Sequence, residues 1–135
     1  MLYQQNYFMT MINTLEHLES IEVIQKGEIK KLNSEEFKHV FQKLEDLFGE
    51  ARVMPAFGVS LHDETTKAMQ EGEWLKLNYN SEMDKDGLLF KSLLFRLEEC
   101  QGFNLIRLYG ERYDGRCIYL DLPQIRDLRE IISEI

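Results

Sequence analysis

Hydrophobic positions recur along this chain with two periods, and the switches between them predict its elements. Phe8, Met11, Ile12, Leu15 and Leu18 fall at helical spacing, predicting a first helix over residues 4–19. The run SIEVIQKGEIKKL reads as two short strands around Lys26-Gly27, a tight hairpin. Next comes an apolar stripe of Phe37, Val40, Phe41, Leu44, Leu47 and Phe48, one face of an amphipathic helix ended by Gly49. Asn33 or Ser34 caps it, and Glu36 can reach back if Asn33 is the cap.

Beyond Gly49 the period shortens. Phe57, Val59 and Leu61 alternate as a half-buried strand does, and Pro55 divides the run or marks an edge. In GVSLHDETTKAMQEGEW the strand hands over to a short helix: Asp63 is the expected N-cap, Glu64 lies in the first turn, and Gly72 is the stop. EWLKLNY is a strand with Leu75, Leu77 and Tyr79 on one face and Trp74, Lys76 and Asn78 on the other. The segment from Ser81 to Gly102, dense in Leu and Phe on more than one face, is expected to be the longest helix. FNLIRLYGERYDGRCIYLDL reads as a hairpin turning at Asp114-Gly115. Pro123 opens a closing helix whose inner face is Ile125, Leu128, Ile131, Ile132 and Ile135.

The expected order is α-β-β-α-β-β-α-β-α-β-β-α. Strands that follow one another through short turns favour an antiparallel or mixed sheet with helices packed on it, an α+β fold. No repeat, low-complexity tract or Gly/Ser/Pro-rich linker divides the 135 residues, so residues 1–135 are expected to form one domain.

Charge changes this picture most. The formal net charge is −8, with 24 acidic residues against 16 basic ones, which disfavours binding to nucleic acid or to anionic membrane surfaces. The acidity is concentrated. Residues 62–86 hold seven acids and three bases, and residues 34–50 five acids and two, whereas residues 87–135 are nearly balanced at eight and seven. The N-terminus lacks a basic region followed by a long apolar run, so neither a secretory signal nor a membrane span is expected. The two cysteines, Cys100 and Cys117, form no C-x-x-C pair and read as reduced structural thiols in a cytoplasmic protein.

Candidate chemistry is sparse. His62, Asp63 and Glu64 are the one place where His and carboxylates cluster, yet no zinc spacing, nucleotide-binding loop or nucleophile motif accompanies them. Asp84-Lys85-Asp86-Gly87 lacks the ligand spacing of a calcium loop. No metal or cofactor is expected. Trp74, the only tryptophan, either anchors an interface ringed by acids or packs under a helix on the second face of the sheet. The expectation is a small acidic binding protein, more a binder than an enzyme, docking on a basic protein partner through Asp63, Glu64, Glu71, Glu73, Trp74, Glu82 and Asp84. A toxin-neutralising immunity protein or a nuclease or effector inhibitor would be its concrete form. One alternative is an enzyme using His62 with Asp63 or Glu64, its anionic substrate held by Arg107, Arg112 and Arg116. The other is a homodimer or larger homo-oligomer, structural or accessory, joined through the long helix or the C-terminal one.

Overall fold

A computed structural model of the protein describes residues 12–50, 52–53, 62–85, 88–97, 105–109, 112–119 and 122–135. A 3-10 helix, Ile12–His17, leads into strand β1, Leu18–Gln25. Lys26 and Gly27, at φ 50° and 84°, turn the chain into β2, Glu28–Lys31. Two positive φ values in a two-residue loop match the right-handed twist of the flanking strands, which is why Gly occupies the second position. Helix α1, Ser34–Glu50, follows with Asn33 as its cap. The Glu36 amide donates to Asn33 Oδ1 at 2.9 Å and the Asn33 amide to Glu36 Oε1 at 3.0 Å. This is the reciprocal capping box that the sequence offered.

Strand β3 is Arg52–Val53, helix α2 is His62–Met69, and β4 is Glu73–Lys85. Strands β5, Leu88–Arg96, β6, Leu105–Tyr109, and β7, Arg112–Tyr119, precede the last helix, α3, Leu122–Ser133. The seven strands lie in the order β2-β1-β4-β5-β6-β7-β3, every pair antiparallel. The fold is α+β, as expected.

Helices α1 and α3 cover one face of the sheet. Val40, Leu44, Leu128 and Ile132 pack there on Ile21, Val23, Leu75, Leu77, Tyr79, Leu93 and Phe95. Lys43 Nζ meets Asp127 Oδ2 at 3.3 Å and ties the two helices together. Helix α2 lies on the opposite face, where Ala68 and Met69 pack on Ile24, Trp74 and Leu94. Next to α2 that face carries a polar ladder. Asn78 Nδ2 donates to Glu22 Oε1 at 2.6 Å and to Ser20 Oγ at 3.3 Å, and Ser92 Oγ donates to Asn78 Oδ1 at 2.9 Å.

Three expectations are corrected. The expected long helix after Ser81 is instead the second half of β4 and all of β5. Leu93 and Phe95 face the α1 side while Leu94 faces α2, so the segment is apolar on both faces because both are covered. The expected first helix gives way to strand at Leu18, and residues 4–11 lie outside the described residues. The last hairpin reverses earlier than Asp114-Gly115: Tyr109 pairs with Arg112, and Asp114 and Gly115 lie within β7, where the register shifts. Conversely, Lys85 pairs with Leu88 around Asp86-Gly87, the dipeptide type suited to a tight turn. The expected strand at Phe57, Val59 and Leu61, with Pro55, lies outside the described residues.

Candidate binding surface

Helix α2 is short, and its position depends on contacts at its C-terminal end. The β1–β2 turn docks there: the Gly27 amide donates to Met69 O at 3.1 Å and the Lys26 amide to Gly72 O at 3.0 Å. The Gly27 donor satisfies a carbonyl that the end of the helix leaves unpaired, and the Lys26 donor ties the turn to the chain just beyond it. Ala68 O accepts from the amides of Glu71 and Gly72 and, at 3.3 Å, from the indole Nε1 of Trp74. Trp74 is only 2% exposed, with the Arg96 guanidinium over its ring, 5.5 Å from the centroid. It is therefore not an exposed anchor. It packs under a helix on the second face, held by one hydrogen bond and a cation–π contact.

The chain emerging from this end of α2 lines a cleft of about 540 Å³ with Gln25, Lys26, Glu28, Glu71, Glu73 and Arg129. Arg129 Nε lies 3.4 Å from Glu73 Oε2, joining α3 to the start of β4. Glu71 and Glu73 are among the carboxylates expected from the sequence to bind a partner. Glu28 and Arg129 are not, because one comes from the hairpin and the other from the last helix.

The other candidates are spread out. Asp63 and Glu64 are exposed in the first turn of α2, about 12 Å along the helix axis from Glu71. Asp63 is not the N-cap, since the helix begins at His62; its carbonyl accepts from Thr66 Oγ1 at 3.0 Å. Glu82 and Asp84 are exposed at the far end of β4, roughly 30 Å along the strand from Glu73. The acidic stretch is thus continuous in sequence but divided in space.

The electrostatics of α2 are uneven. Asp63 and Glu64 sit at its positive N-terminal end, where carboxylates are favoured. Glu71 is exposed just past the negative C-terminal end, where a carboxylate is disfavoured. No ion pair joins Asp63, Glu64 or Glu71 to a cation among the described residues.

Catalytic geometry is not assembled by His62, Asp63 and Glu64. Consecutive helical residues diverge by about 100°, so the three side chains leave the helix in different directions. Among the described residues no group of three His, Cys, Asp or Glu side chains is placed to hold a metal ion. Ser92 is buried, but its hydroxyl proton is committed to the Asn78 carbonyl, an acceptor that cannot serve as a base. Arg107 lies in β6 and Arg112 and Arg116 in β7, while Cys117 pairs with Ile106 across them; their side chains, and Cys100, lie outside the described residues. No helix among the described residues is long and apolar enough to cross a membrane. No family model, curated protein or solved structure matches this chain.

Proposed function

We propose that this chain is a non-enzymatic binding protein that docks on a basic protein surface through the carboxylates of α2 and the turn after it. A toxin-neutralising immunity protein, or another nuclease or effector inhibitor, is the form this would take. The observation that carries the reading is that three exposed carboxylates of α2 and the turn after it, Asp63, Glu64 and Glu71, form no ion pair among the described residues. Glu71 weighs most, because its charge stands where the fold itself gains nothing from it. Exposed charges of one sign steer encounter with a surface of the opposite sign. Trp74 contributes indirectly, by fixing the helix that bears them.

The test is capture from the native source on immobilised protein, followed by binding kinetics with the captured partner. Asp63→Asn/Glu64→Gln/Glu71→Gln should slow association tenfold or more and flatten its salt dependence. If the variant binds like wild type across the salt range, or the captured partner is acidic, the reading is wrong.

A further inference from the structure

We propose that the outer edge of β2 is a self-complementary interface, through which two copies of the chain pair antiparallel about a two-fold axis at Ile29. Strand β2 ends the sheet of described strands, so among the described residues only its inner side meets a neighbouring strand, β1. The hairpin fixes which backbone groups face outward. Gln25 pairs with Glu28, Val23 with Lys30, and the Leu32 amide donates to Ile21 O at 2.9 Å. Glu28, Lys30 and Leu32 therefore turn their N–H and C=O groups inward, and Ile29 and Lys31 turn theirs outward. Those outward groups have no partner among the described residues.

Ile29 is 62% exposed, the one large hydrophobic side chain so exposed among the described residues. Its pairing partner on β1, Ile24, is buried under α2. An outward-facing strand with an uncovered isoleucine fits another strand, and the flanking charges specify which one. With Ile29 opposite Ile29 of the second copy, the two exchange a pair of backbone hydrogen bonds. Glu28 of each copy then faces Lys30 of the other, and Lys31 faces Gly27, which has no side chain. The two neighbouring in-phase registers would oppose Lys30 with Lys30 or Glu28 with Glu28, each a destabilising like-charge pair. Lysines usually guard an edge strand. In the Ile29 register, however, Lys30 meets a carboxylate from the second copy as well as its own Glu36, 3.2 Å away. The sequence EIKK supplies its own complement, and so the occupant is a second copy.

So short a ladder belongs with small, weak interfaces, and the dimer fills only as concentration rises. Light scattering should show the mass climbing toward twice the monomer value between micromolar and millimolar protein. Glu28→Lys should weaken association at least tenfold, and Glu28→Lys/Lys30→Glu should restore it. Ile29→Cys places two thiols on Cα atoms about 5.5 Å apart, within disulfide range, so mild oxidation should crosslink it. Lys31→Cys puts the thiols more than about 12 Å apart and should not crosslink; wild type controls for the two native cysteines. Circular dichroism confirms that each variant compared is folded. A mass that stays monomeric throughout, a double exchange that fails to recover, or equal crosslinking of the two cysteine variants would overturn the proposal.

Discussion

At Gly27, φ is +84° and an added Cβ would lie 2.5 Å from Gln70 Oε1. Gly27→Ala should cost about 1–3 kcal/mol, read as a lowered denaturant midpoint with an unchanged slope. Removing the obstruction as well, in Gly27→Ala/Gln70→Ala, should recover only part of that cost, since the backbone strain remains. Lys26, at φ 50°, pays a smaller form of the same penalty, and Lys26→Asn should stabilise by a few tenths of a kcal/mol because Asn tolerates this region. Trp74 is the second instructive residue. As the only tryptophan and a buried one, it should fluoresce at short wavelength and resist iodide quenching. Trp74→Ala should destabilise by about 3–5 kcal/mol. Its burial was not legible locally: alternation placed it on the second face, but only the position of α2 determines whether that face is wet.

Among the elements, α1 was the most legible, because cap and stripe lie within one window of sequence; only its end differs, the helix running through the expected stop at Gly49 to Glu50. Asn33→Ala should cost about 1 kcal/mol, measured by chemical denaturation. The Asn33 amide hydrogen bond, aided by the nearby Lys30, holds the Glu36 carboxyl below its usual range. A lowered native pKa means that the unfolded chain binds the proton more tightly. Glu36 thus contributes stability above the ordinary carboxylate range, and that contribution is lost as pH falls through the lowered native value. Glu36→Gln should flatten this part of the acid limb in denaturation curves taken between neutral and low pH. Strand β5 was the least legible. A run that is apolar on every side reads equally as a buried helix and as a central strand. Asp86-Gly87, just before it, was the available signal of a hairpin.

For the whole molecule, charge is the quantity the sequence states most plainly and locates least well. Asp63, Glu64, Glu71, Glu73, Glu82 and Asp84 are neighbours in sequence, yet helix rise and strand rise carry them to different ends of two elements. Glu71→Gln should leave stability unchanged or raise it by a few tenths of a kcal/mol, because it relieves a carboxylate at the negative end of α2. A clear loss of stability in thermal melts would mean that Glu71 serves the fold, and it would remove the main support for the proposed docking surface.

The sequence by itself determined the α+β class, the capped amphipathic helix, the hairpin at Lys26-Gly27 and the closing helix. Each of these follows from local periodicity, turn chemistry or capping within a few residues. The tertiary structure alone decided that β5 is a central strand, that Trp74 is buried, and that Glu28 and Arg129 share a cleft with Glu71 and Glu73. Local patterns record how one side of an element differs from the other. They carry no information where both sides are covered, and none about which distant elements the sheet order brings together.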